Sequence, residues 1–173
     1  MQSYKDLQDT SIIKIGIIED YKLSRLALKY NLNEYKNIKV VFDTQNAESG
    51  LELIKTNIQN DNQPDIILMD LGLAGMNGYE ATKKIKELYN NKIKVIILTA
   101  YNNQENIINA INNKVDAYCL KDITIKKLIE VIINVFNGMY CFDSNAVENY
   151  RKNEFNNIFN IISSPIYNTS LIY

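Results

Sequence analysis

Five short apolar runs alternate along this chain with longer segments whose apolar residues recur at helical spacing. The runs are IIKIGII (12–18), IKVVFD (38–43), IILM (66–69), IKVIIL (93–98) and VDAYCL (115–120). They are rich in β-branched residues, which is typical of buried strands. A parallel sheet with helices on both faces is the arrangement that accommodates such alternation.

The segments between the runs predict five helices. Apolar positions at helical spacing are Leu23, Leu26, Ala27 and Tyr30 in the first, Ala47, Leu51, Ile54 and Ile58 in the second, Ala81, Ile85 and Leu88 in the third, and Ile107, Ile108 and Ile111 in the fourth. The fifth begins at Thr124, a candidate N-cap, and is closed by Gly138. Lys83, Lys84 and Lys86 are predicted to form a solvated helix face. We therefore predict an α/β fold, a doubly wound five-stranded parallel sheet with the flavodoxin-like order 2-1-3-4-5.

Polar residues follow the predicted strands at the points where they end. Glu19 and Asp20 follow the first strand, Asp70 the third, Thr99 the fourth and Lys121 the fifth. Because the carboxyl ends of parallel strands meet at one edge of a sheet, these side chains are expected to converge. Clustered carboxylates repel one another unless a cation lies among them, and oxygen ligands favour Mg²⁺. A carboxylate nucleophile beside a hard metal, a hydroxyl and a lysine suits phosphoryl transfer onto aspartate.

Composition excludes several other classes of site. The chain has no histidine, so histidine-based catalysis and histidine-ligated metals are excluded. A net charge of −1 with no evident basic patch provides no electrostatic footprint for nucleic acid. Cys119 and Cys141 lack metal-ligand spacing, are predicted to be packing residues, and favour a reducing compartment. No secretory signal and no apolar stretch long enough to span a membrane is found, which predicts a soluble, non-membrane protein.

Four motifs together resemble the response-regulator receiver domain of two-component signalling. They are IIED (17–20), MDLGLAGMNG (69–78), LTA (98–100) and YCLKD (118–122), and the resemblance covers about residues 12–138. Ala74 departs from the proline that many receivers have there, which loosens the loop. Asp122 after Lys121 is typical of the NarL/LuxR-type subfamily.

The resemblance implies a role for each residue of the cluster. Asp70 would be the phosphoacceptor, attacking a phosphohistidine on a sensor histidine kinase. Mg²⁺ would be held by Asp20 directly, by Glu19 through water, by Asp70, and by the backbone carbonyl of Gly72. The phosphoryl oxygens would be received by Thr99, the amide of Ala100, and Lys121. Tyr118 would act with Thr99 as the switch. The competing interpretation of Tyr118 is an aromatic side chain that only packs, and that of Asp70 is an acid that only caps a helix or lies in a loop.

The predicted organisation is a leader (1–11), a receiver domain (12–138) and a linker-like tail (139–173). The tail is too short for a complete DNA-binding domain, although GMYCFDSNAV (138–147) resembles the linker that precedes one. The sequence thus predicts a two-component response regulator that controls transcription. A stand-alone receiver acting as an interaction module without DNA binding is the alternative. DNA would be contacted only through a supplied output domain or the tail, and homodimerisation is left open.

Two further expectations concern enzymatic activity and cellular location. The domain is not expected to be an enzyme proper. A phosphatase with an aspartate nucleophile would require a second acid two residues after Asp70, and this chain has Gly72 at that position. The abundance of Ile, Asn, Lys and Tyr, whose codons are AT-rich, suggests the genome of a plastid or a reduced bacterium. The expected location is accordingly the cytoplasm or the plastid stroma.

Overall fold

The computed structural model describes residues 11–101 and 104–142. Strands and helices alternate throughout: β1 (Ile13–Ile18), α1 (Lys22–Asn33), β2 (Ile38–Thr44), α2 (Ala47–Gln59), β3 (Ile66–Met69), α3 (Gly78–Leu88), β4 (Lys94–Thr99), α4 (Gln104–Asn112), β5 (Ala117–Leu120), α5 (Ile125–Phe136) and β6 (Cys141–Phe142). The predicted leader falls mostly outside this range, as does nearly all of the predicted tail.

All of these strands are parallel and form one sheet in the order β2-β1-β3-β4-β5-β6. The predicted order of the first five strands is confirmed. The structure adds a sixth strand to the five predicted, in which Cys141 pairs with Ala117 and Phe142 with Tyr118. Gly138 reverses the chain after α5 with a positive φ of 87°, a conformation that glycine adopts freely. Two residues are too few to show the alternation from which strands are predicted.

Helices cover both faces of the sheet, as predicted. On one face, α2, α3 and α4 pack through residues such as Ile54, Ile85 and Ile107. On the other, α1 and α5 pack through Leu32, Leu128 and Ile132. β3 is buried along its whole length between the two layers, as the continuous apolar run IILM predicts. β3 therefore anchors the residue that follows it to the buried centre of the sheet.

The apolar spacing in α1 predicted the wrong packing face. Leu23, Leu26 and Tyr30 have exposed fractions of 64, 47 and 71%, whereas Leu32 is fully buried and Leu28 packs beside it. Both sets lie at helical spacing, so the pattern alone could not choose between them. α1 consequently presents an apolar strip, Leu23, Leu26 and Tyr30, to solvent.

Lys86 was wrongly predicted to lie on a solvated face of α3. Its side chain is buried and its Nζ forms an ion pair with the buried Asp116, while also donating to the carbonyl oxygen of Ile93 at 3.1 Å. The same carboxylate accepts the amide of Val95 at 2.7 Å, and Lys94 Nζ lies 3.4 Å from its other oxygen. Leu88, predicted to be an apolar contact of this helix, is 67% exposed. The ion pair between Lys86 and Asp116 links α3 to the starts of β4 and β5.

Cys119 and Cys141 are both buried, which agrees with their predicted packing role. Within the described part of the chain, every helix is too short or too polar to cross a membrane.

Candidate functional site

Three carboxylates meet at the carboxyl edge of the sheet. Glu19 and Asp20 follow β1, and Asp70 follows the neighbouring strand β3. The backbone amide of Asp70 donates to the carbonyl oxygen of Ile18 at 2.9 Å. One carboxylate oxygen from each of the three residues lies within 4.8 Å of the others. Glu19 and Asp70 are buried and Asp20 is exposed. The strand-end pattern thus correctly predicted that these acids converge.

Lys121 reaches into this cluster from the end of β5. Its Nζ lies 2.8 Å from Glu19 Oε2 and 3.0 Å from Asp70 Oδ2. Burial disfavours the charged amine, but the hydrogen bonds to Glu19 and Asp70 outweigh that effect, so the pKa of Lys121 is raised. Lys121 therefore remains an ammonium group that bridges the two buried acids.

The cluster retains a negative excess, because it contains three acidic side chains and Lys121 contacts only Glu19 and Asp70. Two of those acids are shielded from water, which strengthens their mutual repulsion. Oxygen donors of this charge and spacing fit a hard divalent cation such as Mg²⁺. Glu19, Asp20 and Asp70 could supply carboxylate oxygens to it, which matches the expected donor chemistry.

The acidic pair is held by α1. Glu19 accepts hydrogen bonds from the Tyr21 amide at 3.1 Å and from the Ser24 hydroxyl at 3.2 Å. Arg25 donates to the carbonyl oxygen of Glu19 at 2.6 Å, and its Nε lies 3.4 Å from Asp43 Oδ2. Arg25 was not predicted as a site residue, since its spacing from Glu19 carries no recognisable motif. Its contacts fix the turn that presents the acids.

The loop after Asp70 closes on α3 with little spare room. A side chain at Gly78 would overlap the carbonyl oxygen of Asp70, so α3 begins in direct contact with the end of β3. Asn77 caps that helix by accepting the amides of Tyr79 and Glu80, each at 3.0 Å. By contrast, Gly72 faces solvent. A β-carbon there would lie 3.7 Å from both Asp70 Oδ2 and the Tyr101 ring.

Thr99 and Ala100 lie at the end of β4, adjacent to Lys121. Thr99 is buried, its hydroxyl accepts the Tyr101 amide at 3.2 Å, and its carbonyl oxygen accepts the Lys121 amide at 2.8 Å. Ala100 is exposed. Tyr101, half exposed beside Gly72, was not predicted as a site residue, although its position two residues after a strand-end threonine offered a signal.

Tyr118 is fully buried and points inward. Its hydroxyl donates to the carbonyl oxygen of Tyr101 at 2.6 Å. Burial raises the pKa of Tyr118 to about 12. In this conformation the ring packs in the core and is tied to the segment that follows Thr99.

Replacing Tyr118 with phenylalanine is expected to lower the free energy of unfolding by about 1 kcal/mol at pH 8, because one hydrogen bond is lost. The folded-state pKa of the tyrosine lies above its unfolded value near 10, so its contribution is complete below about pH 10 and declines up to about pH 12. Urea unfolding of both proteins across pH 8–12 measures this. A wild-type advantage that stays constant over that range would contradict the expectation.

The sequence was compared with models of known protein families. The sequence model of the family described as "Response regulator receiver domain" matches residues 15–133, a range that runs from β1 into α5 and contains every acid of the cluster. The chain belongs to this family. Receiver domains of this family are signalling modules, and the expected family membership is confirmed.

The similar proteins are response regulators of the NarL/LuxR type. The receiver is 29% identical over 139 residues to "Response regulator protein VraR" of Staphylococcus saprophyticus, covering 80% of this chain and 64% of that protein. It is 30% identical over 118 residues to "Nitrate/nitrite response regulator protein NarL" of Escherichia coli K12, covering 68% of this chain and 52% of NarL. The chain therefore spans about half to two thirds of the length of these relatives.

A solved structure supports the same assignment. The "DNA-binding response regulator, LuxR family, from Staphylococcus aureus" superposes on the receiver with a TM-score of 0.66 and 29% sequence identity. The alignment covers 73% of this chain and the whole of that one.

Proposed function

We propose that the domain is a phosphorylation-controlled switch in which Asp70 accepts a phosphoryl group from a sensor histidine kinase. The observation that carries this proposal is a buried carboxylate at the end of the central strand, 3.0 Å from a lysine amine and grouped with two further acids. A structural acid would be satisfied by the lysine alone. A third acid in the cluster makes sense when a divalent cation is to be held beside it.

In the proposed reaction a carboxylate oxygen of Asp70 attacks phosphorus, and the bond from phosphorus to the donor nitrogen breaks. Glu19, Asp20, Asp70 and the carbonyl of Gly72 would hold Mg²⁺, which neutralises charge on the transferring group. Lys121 would contact the phosphoryl oxygens from its present place beside Asp70. The hydroxyl of Thr99 and the amide of Ala100 would supply further donors.

We propose that phosphorylation is relayed through Thr99 and Tyr118. The Thr99 hydroxyl now accepts the Tyr101 amide, and the Tyr101 carbonyl accepts the Tyr118 hydroxyl. If the Thr99 hydroxyl turned toward a phosphoryl group, the segment 99–101 would lose one of its anchors. That change would alter the support of Tyr118, so a local charge would bias a two-state surface.

The partners are proposed on the same basis. The exposed apolar strip of α1 starts directly after the acidic pair, which suits a kinase that must bring its phosphohistidine to Asp70.

The names of the relatives, such as "Transcriptional regulatory protein DegU" of Brevibacillus brevis, support control of transcription and do not favour the stand-alone interaction module. DNA contact, homodimerisation and the short tail's role stay predictions. So do the domain boundaries, the absence of enzymatic activity in the ordinary sense, and a cytoplasmic or plastid location.

The test is intact mass spectrometry after incubation with acetyl phosphate and Mg²⁺. Wild type is expected to gain one phosphoryl group and Asp70→Asn none, because an amide is not a competent nucleophile. Asp122→Asn, a change of the same kind at an exposed acid next to Lys121, is the matched control and should be modified like wild type. An adduct of equal yield on Asp70→Asn would refute the assignment.

A further inference from the structure

The loop between β3 and α3 is braced from outside by an acid on α2. Glu48 lies in the first turn of that helix, and its Oε1 accepts the backbone amide of Met76 at 3.0 Å across 28 residues of sequence. A β-carbon placed on Gly75 would lie 2.9 Å from the same oxygen. The carboxylate is thus seated against both residues.

This contact reaches the part of the loop that has the least support of its own. On one side of it, Leu71 and Leu73 are buried in the core. On the other side, Asn77 and Gly78 are fixed by the cap and the close contact that begin α3. Ala74 and Gly75 are exposed between these anchors, and Gly75 has a positive φ of 83°. A glycine and an alanine restrict the backbone little.

The charge of Glu48 strengthens the brace. The hydrogen bond from the Met76 amide holds the pKa of Glu48 below its ordinary value, with a smaller contribution in the same direction from Lys84 on α3. Hydrogen bonds to an ionised acceptor are stronger than those between neutral groups.

We infer that Glu48 is a positioning residue for the metal site: it fixes the loop so that the carbonyl of Gly72 is held at the edge of the acidic cluster. Gly72 lies three residues before Gly75, and a β-carbon placed on it would lie 3.7 Å from Asp70 Oδ2. The inference rests on the proposed function, since Gly72 is a ligand only if the cluster holds a divalent cation. In the described residues Glu48 contacts the loop at Met76 and Gly75 and not the three acids of the cluster.

The first readout is cation binding without phosphorylation. Mn²⁺, which takes the same oxygen ligands as Mg²⁺, is titrated into the full chain and the free ion is measured by electron paramagnetic resonance. Glu48→Ala is expected to weaken Mn²⁺ binding about fivefold, since one exposed charge-assisted hydrogen bond is lost. Glu48→Gln keeps an acceptor oxygen and should weaken binding about twofold. Glu52→Ala removes an equal charge one turn further along α2 and should bind as wild type does.

The second readout is hydrogen–deuterium exchange over residues 71–77 without added metal. Exchange should be faster in Glu48→Ala than in wild type and Glu52→Ala, and unchanged in β3. Equal Mn²⁺ affinity and equal loop exchange in Glu48→Ala and wild type would overturn the inference, as would a wild type that binds no Mn²⁺. A wild type that binds Mn²⁺ but takes no phosphoryl group would refute the phosphoacceptor role of Asp70 alone, and the role of Glu48 would still be decided by these two measurements.

Discussion

Replacing Lys121 with methionine is expected to lower the free energy of unfolding of the metal-free protein by about 2 kcal/mol. The amine bridges Glu19 and Asp70, and its removal leaves two buried carboxylates facing each other without a positive charge. The loss is smaller than for a fully buried pair, because the lysine side chain is 27% exposed. Urea unfolding without divalent cations measures this effect.

The same variant should respond more strongly to Mg²⁺. A cation in the acidic cluster replaces the missing positive charge, so Mg²⁺ should raise the stability of Lys121→Met by more than it raises that of wild type. The rate of phosphorylation by acetyl phosphate should nevertheless fall about 100-fold, because the variant lacks the amine that would donate to the transferring phosphoryl group.

Two control variants separate these effects. Lys22→Met removes an exposed lysine near the acidic pair and should change neither stability nor modification by much. Lys121→Arg keeps the charge and should retain most of the stability. Equal responses of Lys121→Met and wild type to Mg²⁺ would contradict the idea that Lys121 and the cation neutralise the same acids.

Replacing Lys86 with methionine is expected to cost about 3 kcal/mol of stability. Methionine fills a similar volume, but Asp116 is left buried at the starts of β4 and β5 without its main partner. Lys94, 3.4 Å away and partly exposed, compensates only in part. The measurement is urea unfolding, with the expectation of a lower midpoint and an unchanged slope.

The matched control is Lys83→Met, an exposed lysine on the same helix that should shift stability by less than about 0.5 kcal/mol. In the double variant Lys86→Met with Asp116→Asn, the amide oxygen can still accept the Val95 amide and no buried charge remains. That variant should be more stable than Lys86→Met alone. If the two substitutions simply added their losses, the ion pair would not be the source of the effect.

The sequence predicted well those features that repeat or end sharply. Strand alternation gave the sheet order, and polar residues directly after strands gave the acidic cluster, because parallel strands bring their carboxyl ends together. These inferences need only local pattern and one topological rule. The convergence of Glu19, Asp70 and Lys121, residues far apart in the chain, follows from that rule alone.

Features that depend on pairing between distant segments were missed. Lys86 looked like its neighbours Lys83 and Lys84, and only the position of Asp116 in the fold explains why it is buried. Glu48 carries no local signal for Met76, which lies 28 residues further along the chain in the loop before α3. In α1, two faces were equally apolar by spacing, and contact with the sheet selected the one that contains Leu32.

The sheet order also bears on how copies of this protein can meet. Open strand edges invite pairing between molecules and, with it, aggregation. In the described residues one edge of the sheet is β2, where the exposed Lys39 carries a charge. Charged side chains on an edge strand discourage the addition of a further strand. Pairing of two copies of the chain through β2 is therefore disfavoured.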